Sequence, residues 1–161
     1  MSESIVMRQV PVAEDPRRIG KMVAETGFFR PDEVDVAVEL IEERLAKGED
    51  SGYHFWFMEN QADLAGYVCF GPTPCTVGSF DLYWIVVAKS SQGLGLGGRL
   101  TRLAEETAKE MRGRKMYVET SGKDLYAPTR GFYEKMGYKE AAVLRDFYDT
   151  GDDKIIYAKD L

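Results

Sequence analysis

Two cysteines and one histidine are all that this 161-residue chain offers for thiol or imidazole chemistry. Cys69 and Cys75 are too few and too poorly spaced for a disulfide framework or a thiolate metal site. The lone His54 excludes a His-rich cluster and, in a strand-like stretch, is expected to play an ordinary structural role. No metal is therefore expected. No apolar run approaches the roughly 20 residues of a membrane helix, so no membrane partner is expected either. Met1-Ser2-Glu3-Ser4 lacks signal-peptide character, which leads to the expectation of a cytoplasmic protein. Positive charge is also short: the net charge of −6 disfavours nucleic acid and mildly favours cationic acceptors. No repeat, low-complexity segment or linker interrupts the chain. A single domain over residues 1–161 is expected, long enough for a proper core.

Glycine, by contrast, is concentrated in one place, Gln92-Gly93-Leu94-Gly95-Leu96-Gly97-Gly98. Read as Gly93-x-Gly95-x-x-Gly98, the run fits the dinucleotide fingerprint, with Glu119 about 20 residues further on as a ribose ligand. Read as Gln92-x-x-Gly95-x-Gly97, it fits an acyl-CoA pyrophosphate loop. Both rest on one mechanism, in which glycines admit a pyrophosphate to the backbone and helix-start N–H groups bind it. Context separates them. A Rossmann glycine sits in the turn directly after a strand, whereas Ala88-Lys89-Ser90-Ser91-Gln92 intervenes here after the apolar run Leu82 to Val87. Strand-like segments precede the loop, and too little chain follows Glu119 for a doubly wound sheet.

Periodicity and turn signals place the elements. Ile5 to Val10 reads as a strand. Asp15-Pro16 supplies an N-cap and a first-turn proline for a helix ended by Gly27. Pro31 opens a second helix with Val34, Ala37, Val38, Ile41 and Leu45 on one face, capped by Gly48. Tyr53 to Met58 and Leu64 to Phe70 are strands about a polar turn, and Phe80 to Val87 follows a wide loop. The glycine run opens a helix with Leu96, Leu100, Leu103, Ala104, Thr107 and Met111 as its inner stripe, closed by Arg112-Gly113. Lys115 to Thr120 is a strand, Thr129 to Met136 a short helix, and Lys139 to Arg145 with Lys154 to Lys159 a final strand pair. The order β-α-α-β-β-β-α-β-α-β-β predicts an α/β (α+β) fold with a mixed, mostly antiparallel sheet flanked by helices.

This order, with the loop in this place, resembles the GNAT superfamily of N-acetyltransferases. Two segments carry the resemblance: Trp84 to Gly97, similar to the family's central strand and pyrophosphate loop, and Gly131-Phe132-Tyr133-Glu134-Lys135-Met136-Gly137-Tyr138, similar to its second signature block. The motif pattern is most like that of ribosomal-protein-alanine acetyltransferases and related small acetyltransferases. The resemblance implies acetyl-CoA as co-substrate and, as acceptor, a small-molecule amine or a protein N-terminal amine. Gln92 and the backbone of Gly93, Leu94, Gly95, Leu96, Gly97 and Gly98 would hold the pyrophosphate, and main-chain groups near Ile85 and Val87 the pantetheine arm. Tyr133 stands where the family has its general acid, suited to protonating the departing thiolate. Glu119, near the end of its strand, matches a carboxylate that would deprotonate the amine, with Asp81 as a rival. Phe28 and Phe29 between the first helices, and Tyr148 in an expected aromatic loop from Arg145 to Asp153, are candidate substrate contacts. Family members are often dimers, which makes a homodimer an expectation.

The chain departs from the pattern at Tyr126, where the ribosomal-protein enzymes have a CoA-positioning asparagine, and at Lys89, which replaces a common proline. The direct-transfer enzyme has one alternative of a different class, a non-catalytic acyl-CoA-binding or sensor domain. Retention of both Glu119 and Tyr133 favours the enzyme.

Overall fold

Apolar side chains alternate along the strands, and helices cover both faces of the sheet they build. The computed structural model describes residues 4–61 and 63–161; Met1 to Glu3, part of the signal-peptide reading, and Ala62 of the expected polar turn lie outside them. β2 (His54–Asn60) and β3 (Asp63–Pro72) send Phe55, Phe57, Tyr67 and Cys69 to one face. There they meet Ile19 and Val23 of α1 (Asp15–Glu25) and Ala37 and Ile41 of α2 (Pro31–Lys47). Met58, Val68 and Phe70 point the other way, against Leu96, Leu100, Ala104 and Ala108 of α3 (Leu96–Glu110). β3 is consequently buried along nearly its whole length, the signature of a strand inside a covered sheet.

The remaining elements are β1 (Ile5–Arg8), β4 (Ser79–Val87), β5 (Lys115–Ser121), α4 (Ala127–Lys135), β6 (Lys139–Asp149) and β7 (Asp152–Asp160), in the chain order expected from the sequence. Laterally the seven strands run β1-β2-β3-β4-β5-β7-β6. Every neighbouring pair is antiparallel except β4 and β5, which α3 connects as a parallel crossover. A doubly wound dinucleotide fold would need a parallel sheet, and this one has a single parallel pair among the described residues. No described helix is long and apolar enough to cross a membrane.

Several local expectations change. Asp15 is the first residue of α1 rather than its N-cap, which is Glu14. Its carboxylate is wholly buried, accepting the Val12 N–H at 2.7 Å and two bonds from the Arg8 guanidinium at 2.9 Å. Leu45 and Met111 fall off their inner stripes and are 39% and 40% exposed. At the end of α3 it is Arg112, not Gly113, that takes the left-handed conformation, with φ of 65°. Gly113 is needed for space: a Cβ there would stand 2.7 Å from the Ala108 carbonyl oxygen. The expected loop from Arg145 to Asp153 is instead the tip of a hairpin, because β6 runs on to Asp149 and β7 begins at Asp152. Asp146 makes the bend, its φ at 54° and its carboxylate accepting the Gly151 N–H at 2.8 Å.

Candidate active site

A one-residue bulge opens the sheet. On β3, Cys69 faces Trp84 and Phe70 faces Leu82, so Tyr83 is an extra residue on β4. Such an insertion bends a strand and reverses the faces of everything beyond it. Phe80 and Leu82 accordingly pack in the α3 layer, whereas Val86 packs in the α1–α2 layer despite the same parity. β4 and β5 are paired from Ser79 with Lys115 only as far as Leu82 with Val118. Past that point β5 keeps β7 as neighbour and β4 keeps β3, leaving a gap between them.

The gap exposes backbone. The Ala88 N–H donates to the Ala65 carbonyl at 2.8 Å, which marks Ala88 as turned toward β3. Alternation along an antiparallel ladder turns Val86 and Trp84 the same way, and Ile85 and Val87 toward the gap. Ile85 and Val87 thus present N–H and C=O groups without a strand partner, an edge ready for an extended, amide-bearing ligand.

The same edge leads into the glycine run. After a short 3₁₀ turn, Lys89–Ser91, Gln92 is extended and its Nε2 reaches back toward the Val87 carbonyl at 3.5 Å. Gly93 and Gly95 are left-handed, with φ of 82° and 73°, and nothing lies within 4 Å of where their Cβ atoms would be. A side chain there would be strained and would project into open space. Gly95 is the N-cap of α3, and no side chain caps the helix. The N–H groups of Leu96, Gly97 and Gly98 are therefore the unsatisfied donors of a helix start, an anion site by geometry and dipole. The Leu96 side chain is buried in the core and Leu94 is exposed, so both offer backbone alone.

A cavity of about 730 Å³ fills the gap. Of the residues singled out from the sequence it brings together Ile85, Val87, Gln92, Tyr133, Glu119, Phe28, Phe29 and Tyr148. Gly93 to Gly98 adjoin it beyond Val87 without lining it. Asp81, the rival carboxylate, is not in it; it lies in the paired part of β4 opposite Tyr117 and accepts the Thr73 hydroxyl at 2.7 Å.

Tyr133 of α4 is 4% exposed, edge-on to Phe132 at 5.3 Å and to Tyr138 at 5.7 Å. Burial pushes its phenol well above the ordinary tyrosine range, so it stays protonated and able to donate. No hydrogen bond to another described residue occupies the hydroxyl. Packing and cavity lining coexist at this residue: the ring is core and its edge belongs to the site.

On the far side, rings form a chain from Trp84 to Phe29 at 5.0 Å, Phe28 at 5.2 Å and Tyr126 at 4.9 Å. They tie β4, the α1–α2 connection and the 3₁₀ turn before α4 across the open end of the gap. Tyr126 therefore stands with the aromatic wall. Burial, then Glu119, Asp152, Tyr126 and Glu33, raise the Tyr148 phenol to about 12, which shows these acidic groups converging on one ring. The Ser121 hydroxyl donates to the Asp152 carboxylate. Sequence reasoning passed over Asp152, Ser121, Glu33 and Trp84. Alternation would have turned Ser121 with Glu119, but nothing local marks Asp152 or Glu33. Among the described residues no group of three or more metal-binding side chains occurs. Cys69 is buried, Cys75 is exposed, and neither lines the cavity. Burial also lowers the His54 imidazole, consistent with a half-buried strand residue beside the Phe70 ring.

Comparison with known proteins agrees with this geometry. The model of the acetyltransferase (GNAT) family matches residues 22–138. A GNAT-family protein from Desulfovibrio desulfuricans is 46% identical, covering 98% of this chain and 99% of its own, with a TM-score of 0.96. An aminoglycoside 6'-N-acetyltransferase solved with coenzyme A is 21% identical over 96% of both chains, with a TM-score of 0.78. The ribosomal-protein-S18-alanine N-acetyltransferase of Escherichia coli is 18% identical, over 98% of this chain and 94% of its own, with a TM-score of 0.74. Among curated proteins, none matches significantly. The two low-identity relatives share the fold; the family model and the D. desulfuricans protein establish the lineage, and this chain belongs to the GNAT family of acetyltransferases.

Proposed function

We propose that this protein transfers an acetyl group from acetyl-CoA to a primary amine by direct attack in a ternary complex. The observation that carries the reading is the continuity of the open Ile85–Val87 edge with the uncapped start of α3, beside a buried and protonated Tyr133. The pyrophosphate would lie on the N–H groups of the glycine run, and the pantetheine amides on the free edge of β4. The amine would enter past Phe28, Phe29 and Tyr148, give a proton to Glu119 directly or through water, and attack the thioester carbonyl. The Val87 N–H would steady the oxyanion. As the C–S bond breaks, Tyr133 would protonate the thiolate and later regain a proton from solvent. The cavity offers no cysteine for a covalent acyl relay, which supports one-step transfer.

The test is calorimetric titration with acetyl-CoA, with NADH as control, followed by thiol-release assays on spermidine, an aminoglycoside and an alanine-initial hexapeptide. Saturable binding of acetyl-CoA with turnover of an amine is expected. Binding without turnover of any amine or of water would favour the sensor reading, and absence of acetyl-CoA binding would remove both.

A further inference from the structure

Glu119 is not alone on its strand face. Lys154 stands opposite Ser121 in the β5–β7 ladder, and Glu119 opposite Ile156, which makes Lys154 and Glu119 diagonal neighbours on one face of the sheet. Lys154 Nζ lies 2.8 Å from Glu119 Oε2 and 3.7 Å from the centre of the Phe147 ring, with the Tyr148 ring at 5.8 Å. The lysine side chain is 13% exposed and that of Glu119 50%. The cation is thus the held member of the pair, between a ring face and a carboxylate, and the carboxylate is the member that meets the open cavity.

The other charged and titratable groups around Glu119 are engaged elsewhere. Glu33 of α2 accepts the Arg30 N–H at 2.8 Å as part of the helix start. Asp152 at the head of β7 takes the Ser121 hydroxyl and lies 3.6 Å from Lys123 Nζ. Tyr148 of β6 and Tyr126 of the 3₁₀ turn are kept neutral by burial and by these carboxylates. Lys154 is the one cation in contact with Glu119 among the described residues.

We propose that Lys154, clamped on Phe147, is a positioning residue that fixes the Glu119 carboxylate toward the acceptor amine. The inference rests on the reading of Glu119 as the base. A carboxylate tethered to a held cation stays at a set place, and an error of about 1 Å in such a group can cost around 100-fold in rate. Without Lys154, Glu119 would face Asp152 and Glu33 with no compensating cation and would swing away from its set place in the cavity.

The experiment compares K154M, K154R, F147L and E119Q. It measures acetyl transfer to spermidine, to an alanine-initial hexapeptide and, with no amine present, to water, across the neutral pH range, with acetyl-CoA affinity by calorimetry. K154M is expected to lower kcat about 10-fold or more while leaving acetyl-CoA affinity unchanged. K154R should restore most of the rate, and F147L should fall between wild type and K154M. A K154M with wild-type kcat beside an impaired E119Q overturns the role of Lys154 and leaves Glu119 as base. An E119Q equal to wild type overturns both. If K154M does not fold, F147L carries the test, and an unchanged kcat there overturns the clamp.

Discussion

Leu82 on β4 lies opposite Val118 on β5, and no further pair joins those two strands. The next residue, Tyr83, is the bulge. A single unpaired residue therefore stands where the sheet opens, and the free edge of β4, the cavity and the aromatic wall all lie on the side beyond it.

Deleting Tyr83 should close this opening at the cost of the core. Trp84 and Val86 would turn to the α3 layer, and Ile85 and Val87 to the α1–α2 layer, a mismatch of the order of several kcal/mol. The urea midpoint should drop sharply or the cooperative transition disappear, and a midpoint equal to wild type would show that the bulge does not set the register.

Tyr133→Phe should keep the fold and the acetyl-CoA affinity while lowering kcat by about 10²-fold or more, the range for loss of a general acid. Steady-state kinetics beside calorimetry separates the two. An unchanged kcat would leave Tyr133 as a packing residue alone.

Gly95→Ala meets no steric obstacle, so its cost is conformational, about 1–2 kcal/mol for an L-residue in the left-handed region. The methyl group also projects where a pyrophosphate would lie. Acetyl-CoA affinity should fall about 10-fold or more, with a modest drop in Tm. Equal affinity in the variant would argue against the glycine run as the donor site.

Asp15→Ala tests an interaction remote from the cavity. It leaves Arg8, 18% exposed, with Glu59 as its remaining acidic partner and removes the acceptor of the Val12 N–H. A loss of about 3 kcal/mol is expected, the lower end for a broken buried pair because Arg8 retains some solvent. Chemical denaturation reads it, and acetyl-CoA affinity should not change.

Alkaline stability follows from the buried phenols. Tyr83 and Tyr148 are raised to about 12, and Tyr133 is also raised, in each case first by burial. Unfolded tyrosines ionise near pH ~10. Above that value the unfolded chain releases protons that the folded chain keeps, so stability is whole below about pH 10 and declines as pH rises toward 12. Circular dichroism against pH should show that decline, and Tyr133→Phe, with one phenol fewer to ionise, should make it shallower.

Much of this was legible in the residues and some was not. The order of elements, the helix opened by Gly95 and the strand carrying Glu119 follow from periodicity and turn residues that act within a few positions. The tip of the last hairpin is not legible locally, because Asp146, Asp149 and Gly151 have the composition of a loop. Only the register between β6 and β7, with Asp146 bonded to Gly151, makes that tip a strand turn. Lys154 carried no signal at all: its meaning depends on a ring and a carboxylate brought to it by two other strands.

Local chemistry in the chain was enough to specify the family and the uncapped helix start after Gly95, because glycine conformation and helix-end donors are properties of short segments. The bulge at Tyr83, the parting of β4 from β5, the absence of Asp81 from the cavity and the pairing of Lys154 with Glu119 were settled by packing. Each depends on which face a strand buries, and that is decided only when sheet and helices compete for the same apolar side chains.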